Sequence, residues 1–229
     1  GGLDGYLRVV NVRTGSVLSR AESLGGAVWC LSSLGKGRVA AGCEDGSVKV
    51  YRWADRELVF ECIVDRAADG RIISIASDDT SALLAAGTSS GQIRFIDIAA
   101  RHSVRQCRLP DSALPLCLTW VPGTEGILAV GDSLGNTVFV NSNIGIAEVS
   151  IKTHDAEILA ITAVSNNSVF CAGVDHRMVS LVQVPNEYGE MAWAIGSRRR
   201  VCNNDVRSLA YSAIGKYPLL VTCCVDGSL

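Results

Sequence analysis

Apolar and polar residues alternate along this chain with a period of two, in short runs rich in β-branched side chains. Gly or Asp-Gly interrupts them at intervals of about ten positions, too often for a helix, so the pattern predicts strands joined by tight turns. The first strand of each set reads as Val28-Trp29-Cys30-Leu31, Ile72-Ile73-Ser74-Ile75, Leu116-Cys117-Leu118-Thr119, Leu159-Ala160-Ile161-Thr162 and Val206-Arg207-Ser208-Leu209. A second strand follows, as in Gly37-Arg38-Val39-Ala40-Ala41 and Ala82-Leu83-Leu84-Ala85-Ala86. Almost no helix is expected.

These runs belong to a repeat: a small residue, a Gly, a few polar residues, a Gly, then alternating apolar positions. It stands as Ala41-Gly42-Cys43-Glu44-Asp45-Gly46-Ser47-Val48 and as Ala86-Gly87-Thr88-Ser89-Ser90-Gly91-Gln92-Ile93. Weaker copies are Val130-Gly131-Asp132-Ser133-Leu134-Gly135-Asn136-Thr137 and Ala172-Gly173-Val174-Asp175-His176-Arg177-Met178-Val179. Shorter copies lie at Leu3-Asp4-Gly5-Tyr6 and Val225-Asp226-Gly227-Ser228. Turn positions taken at Gly5, Gly46, Gly91, Gly135, Arg177 and Gly227 recur with a period of about 40 to 45 residues, with a longer last step; strands at that period are the signature of WD propeller blades. Asp4-Gly5, Asp45-Gly46 and Asp226-Gly227 are strong hairpin signals, because Gly takes the positive φ and Asp bonds the neighbouring backbone.

The expected fold is therefore all-β, a WD40-type β-propeller with about four complete blades and two partial ones. A ring of seven would need roughly 300 residues at this period, so the ring is expected to be incomplete and the chain a fragment. Residues 1–229 are read as part of a single propeller domain: a partial blade over 1–26, blades over 27–70, 71–115, 116–157 and 158–205, the last with an insertion, and a partial blade over 206–229. Small residues such as Ala40, Ala41, Gly42, Ala85, Ala86 and Gly87 suit the crowded inner part of a blade.

Composition narrows the function. The formal charge is −2 with 19% charged residues, so the whole chain offers no general attraction for nucleic acid or an anionic membrane, and any RNA contact has to be local. No apolar run approaches the ~20 residues of a membrane-spanning helix, and Gly1 to Arg8 do not resemble a secretory signal, which points to a soluble intracellular chain. The nine cysteines are an odd number, mostly scattered singly, and fit a reducing compartment; adjacent Cys223-Cys224 lack the spacing of a zinc site. His102, His154 and His176 are far apart and placed in loops or turns, so neither metal ligation nor catalysis is expected of them. Asp78-Asp79, Glu44-Asp45 and Asp155 read as turn carboxylates. Glycines precede strands rather than helices, which argues against a phosphate-cradling loop. No catalytic, cofactor-binding or metal-binding residue is assigned.

One charge cluster stands out. Arg198-Arg199-Arg200 follows an insertion containing Pro185-Asn186-Glu187-Tyr188-Gly189-Glu190 and Trp193, and is expected in a protruding loop. Arginines grip phosphate bidentately and stack on bases, so Arg198, Arg199 and Arg200 are the candidates for touching RNA or an acidic partner peptide; a merely solvated loop end is the plainer reading.

Gly42-Cys43-Glu44-Asp45-Gly46-Ser47-Val48-Lys49-Val50, then Phe60-Glu61, Asp65-Arg66 and Arg71-Ile72-Ile73-Ser74-Ile75, resemble one blade of the cirhin family, WD-repeat subunits of the small-subunit processome. Gly131-Asp132-Ser133-Leu134-Gly135-Asn136-Thr137-Val138 resembles that family's next turn, and Ala172-Gly173-Val174-Asp175 the one after. Asn204-Asp205-Val206-Arg207-Ser208-Leu209-Ala210 resembles the start of a further blade, with Asn204 where the family tends to have His. The usual Trp-Asp is replaced by Val10-Asn11, Tyr51-Arg52, Ile96-Asp97, Val140-Asn141 and Val182-Gln183, and of the bracing polar tetrad only Thr153-His154-Asp155 has a counterpart.

The resemblance implies a divergent member and a position in the first of two propellers. It further implies a non-catalytic scaffold of the nucleolar small-subunit processome, in the nucleus, serving pre-rRNA transcription and processing and small-subunit assembly. Its partners would be other propeller and helical-repeat proteins, with local contact to pre-rRNA or small nucleolar RNA, and no cofactor, membrane or small-molecule substrate. The rivals are a generic propeller adaptor, such as a ubiquitin-ligase substrate receptor or a coat subunit, and a propeller enzyme, for which no convergent polar constellation is visible.

Overall fold

The computed structural model describes residues 1–80, 82–213 and 217–226. The hairpin expected at Asp226-Gly227 lies partly outside them. The chain forms two compact units, Gly1–Arg108 and Leu109–Leu229.

In the first unit, β1 (Tyr6–Val10) pairs with β2 (Val17–Glu22). Two four-stranded antiparallel meanders follow: β3 (Val28–Ser33), β4 (Arg38–Cys43), β5 (Ser47–Ala54) and β6 (Glu57–Arg66), then β7 (Ile72–Ser77), β8 (Leu83–Thr88), β9 (Gln92–Asp97) and β10 (His102–Arg108). The second unit has the same design in β11 (Pro115–Trp120), β12 (Ile127–Asp132), β13 (Asn136–Asn141) and β14 (Ile146–Lys152), and in β15 (Ile158–Ser165), β16 (Ser168–Gly173), β17 (Arg177–Pro185) and β18 (Met191–Arg200). The pair β19 (Val206–Ser212) and β20 (Leu219–Cys224) completes it. Among the described residues there are thus four four-stranded blades and two two-stranded ones, each ordered by simple hairpins. Among the described residues the only helical turn is the 3₁₀ segment Pro110–Ser112.

The small-Gly pair has a packing reason. It closes the second strand rather than opening the turn, and its glycine lies where the next blade presses closest. A Cβ on Gly42 would sit 2.5 Å from both Cys30 Sγ and Ile72 Cγ2, and one on Gly131 would sit 2.5 Å from Ile158 Cγ2 and 2.6 Å from Cys117 Sγ. The glycine therefore lets the first strand of the following blade approach. Val48, Val50, Val64, Ile72, Leu84 and Ile96 fill the seam between the two full blades of the first unit; Phe139, Ile158, Val169, Val179 and Leu181 do so in the second. Each such side chain contributes about 1.5–3 kcal/mol by leaving water.

The turns differ from the expectation at one position. Gly5, Gly46, Gly91 and Gly135 take φ of +79°, +76°, +80° and +82°, but in the fifth copy the left-handed residue is His176 (φ +63°), not Arg177, which opens β17. His102 likewise opens β10 instead of lying in a loop.

The positions that replace Trp-Asp also have a physical logic. Asn11 Oδ1 accepts from the N–H groups of Arg13 (2.9 Å) and Thr14 (3.3 Å), Asp97 Oδ1 from Ala100 N (2.8 Å), and Asn141 Oδ1 from Asn143 N (3.0 Å). These side chains end the third strand by taking up turn donors. Arg52 has no acceptor, and the acceptor of Gln183 sits one methylene further out than that of Asn or Asp; there the hairpin runs on, Arg52 pairing with Val59 and Gln183 with Trp193. This corrects the expected insertion. The segment containing Trp193 is not a loop but the extended arm of a hairpin, with a tight turn at 186–190.

Candidate interaction site

The arginine cluster lies on a strand, not in a protruding loop. Arg198, Arg199 and Arg200 end β18, the outermost strand of its blade, opposite Val179, Met178 and Arg177 respectively. The strand is anchored further back by Trp193, whose ring stacks on Phe139 of the neighbouring blade at 4.1 Å between centroids and 10° between planes. All three arginines are exposed.

Because side chains alternate along a strand, Arg198 and Arg200 share one face and Arg199 takes the other. Arg177, paired directly with Arg200, joins the first face. The sequence reading missed Arg177; the signal lay in strand register, which only the hairpin turn specifies. Arg198 donates to Lys152 O (3.1 Å) and Arg200 Nε to Cys202 O (3.1 Å), both neutral carbonyls. Arg177 pairs with Asp155 Oδ2 at 3.0 Å, an exposed contact. The cluster thus keeps most of its positive charge uncompensated.

Beside it lies a structural pair. The His154 imidazole is fully buried and its Nδ1 meets Asp175 Oδ1 at 2.7 Å. The same carboxylate accepts from the N–H groups of Arg177 (3.2 Å) and Asp155 (3.3 Å). Burial pushes the Asp175 carboxyl up, but the hydrogen bond and charge of His154 and the two backbone donors outweigh it and hold it below its ordinary value. His154 therefore braces the loop before its blade against the turn within it.

A second exposed constellation was not visible in the sequence. Trp29 on β3 donates through Nε1 to Glu44 in the turn between β4 and β5, while the Arg71 guanidinium lies 4.4 Å over the indole and 3.6 Å from the same carboxylate. Three elements from two blades assemble it. Among the described residues no group of three or more His, Cys, Asp or Glu is placed to hold a metal ion. None of the helices in the described residues is long and apolar enough to cross a membrane.

Repeated four-stranded antiparallel meander blades with glycines at their seams define a WD40-type β-propeller. The family model described as WD domain, G-beta repeat, matches residues 19–52, and that of the Anaphase-promoting complex subunit 4 WD40 domain matches residues 38–123. The chain is similar to U3 small nucleolar RNA-associated protein 4 of Saccharomyces cerevisiae, 29% identical over 90% of this chain and 28% of the relative. The Homo sapiens homolog of that protein is 24% identical over 92% of this chain and 32% of its own length. The chain therefore spans about a third or less of the relatives it matches.

Among solved structures, a chain of the mitotic checkpoint complex superposes with TM-score 0.82 at 14% identity, over 98% of this chain and 67% of that one. The WD40 propeller domain of Doa1 gives 0.67 at 17% identity, over 87% and 62%. The computationally designed Ika8 protein gives 0.74 at 19% identity, over 100% and 65%. At these identities the likeness concerns the fold.

Proposed function

We propose that this chain is part of a non-catalytic scaffold subunit of the nucleolar small-subunit processome, supporting pre-rRNA processing and small ribosomal subunit assembly. The observation that carries this reading is the similarity, over 90–92% of the chain, to relatives named for association with U3 small nucleolar RNA. The fold supports it: rigid blades present turns and outer strands to partners. The blades over 27–70, 71–115, 116–157 and 158–205, with partial blades over 1–26 and 206–229, are read as pieces of a single propeller. Arg198, Arg199 and Arg200 are its contact with RNA or with an acidic partner segment, since a cationic strand end on a chain of formal charge −2 concentrates the attraction locally.

A second reading has an observation of its own. The match of residues 38–123 to the Anaphase-promoting complex subunit 4 WD40 domain favours a propeller adaptor in another large assembly, such as a ubiquitin-ligase substrate receptor or a coat subunit. Purification of the full-length protein from nuclear extract, with mass spectrometry and RNA sequencing, separates them. Recovery of pre-rRNA, a box C/D small nucleolar RNA and other propeller subunits is expected. Ligase or coat components without pre-rRNA would overturn the processome assignment.

A further inference from the structure

We propose that the free edge of β18 receives an extended acidic segment of a partner protein as a fifth strand, its carboxylates set against Arg198, Arg199 and Arg200. This deepens, and rests on, the reading of those arginines as a contact.

β18 is ten residues long with one bulge at Gly196, and it is the last strand of its sheet, so among the described residues one side of its backbone has no strand beside it. Such an edge is a template for an added strand, with main-chain hydrogen bonds supplying affinity and side chains supplying choice. Between Met191 and Arg200 the strand carries three consecutive arginines and no carboxylate. That pattern repels a basic strand and favours an acidic one. Like charges paired directly across strands are unfavourable, and Arg177 stands opposite Arg200, its guanidinium paired with exposed Asp155. An incoming carboxylate relieves that repulsion.

The alternation of faces selects the kind of partner. A sugar-phosphate strand lying along one face would reach Arg198, Arg200 and Arg177 and leave Arg199 idle. An added β-strand projects its side chains to both faces in the same register as β18, so consecutive acidic residues meet all three arginines. The remaining length of β18 back to Met191 then holds the alternating part of the segment by backbone bonds alone.

The test uses the 229-residue chain and a fluorescein-labelled peptide that begins with three glutamates and then alternates Thr and Val, the order that sets its carboxylates against Arg198–Arg200 when it adds antiparallel like the other strands of the sheet, with anisotropy as readout. The expected result is saturable binding that weakens about tenfold in Arg198→Gln and likewise in Arg199→Gln, the loss of one charge-assisted pair each. It is also abolished when alternate peptide amides are N-methylated. Gln keeps the strand and its polarity, and circular dichroism verifies the fold of each variant. Binding that tolerates N-methylation, or that ignores Arg199→Gln, overturns strand addition. An oligouridylate that binds in place of the peptide, through Arg198 and Arg200 but not Arg199, overturns it too while leaving the arginines as a nucleic-acid contact. Failure of both probes overturns strand addition and the contact reading together.

Discussion

Arg94 on β9 grips Asp65 on β6 with two hydrogen bonds, Nε to Oδ2 at 2.6 Å and a terminal nitrogen to Oδ1 at 3.0 Å, with side-chain exposures of only 11% and 8%. The pair bridges two blades of the first unit beside a seam whose core is mainly aliphatic. Removing one partner leaves the other charge buried and alone. Asp65→Ala is therefore expected to cost about 3–5 kcal/mol, whereas Asp65→Leu with Arg94→Met together cost far less. Urea unfolding midpoints of the single and double variants measure this; a double variant as weak as either single would contradict it.

The Phe139–Trp193 stack is the corresponding link in the second unit. Phe139 is buried at the seam, so Phe139→Ala should lose about 3–5 kcal/mol. Trp193 is only half-buried, and its substitution should cost less. A double-mutant cycle between Phe139→Leu and Trp193→Leu is expected to return a coupling of about 0.5–1.5 kcal/mol. A coupling near zero would mean that Trp193 merely covers its neighbour.

How far the sequence discloses these features depends on how local their causes are. The strands and the turns at Gly46, Gly91 and Gly135 were legible, since alternation and positive φ are decided within a few residues. The hairpin of β17 and β18 was not. A long interval ending in Arg198, Arg199 and Arg200 reads as an exposed loop, and the cause of its extension is subtle: Gln183 fails to take up turn donors as Asn11, Asp97 and Asn141 do. Contacts such as Arg94 with Asp65, or Trp29 with Glu44 and Arg71, join residues from different repeats and leave no periodic trace. The tetrad-like pairing of His154 was half legible, its histidine turn being visible but its partner Asp175 supplied by a later hairpin.

The turn glycines separate two effects that a single substitution usually mixes. Gly15 takes φ +68° with open space around the position of a Cβ, so Gly15→Ala should cost only the backbone strain of about 1–2 kcal/mol. Gly135 takes φ +82°, and its Cβ would in addition strike the carbonyl oxygens of His154 and Ala156. Gly135→Ala is expected to lose distinctly more. Thermal melts of the two variants side by side check the order, and equal losses would place the whole cost in the backbone angle.

The cysteines give a prediction in pH. Burial, against a weaker hydrogen bond to the Gly42 backbone, pushes the Cys30 thiol from 9.0 up to about 12. Burial, opposed by hydrogen bonds with Thr137 and Thr153, pushes the Cys171 thiol up to about 11. Above the ordinary thiol value the unfolded chain releases these protons while the folded chain keeps them, so the unfolded state binds fewer protons and stability falls as pH rises. The loss begins near pH 9 and continues until the folded thiols ionise. The urea midpoint should therefore drop between pH 8 and 10, and drop less in a Cys30→Ala, Cys171→Ala double variant, although that variant starts lower from its cavities. At neutral pH a thiol reagent should label exposed Cys223 quickly and spare Cys30, Cys117 and Cys171. Equal alkaline slopes in the two proteins would show that other groups govern the loss, and rapid labelling of Cys171 would show that the seam between these blades opens in the native state.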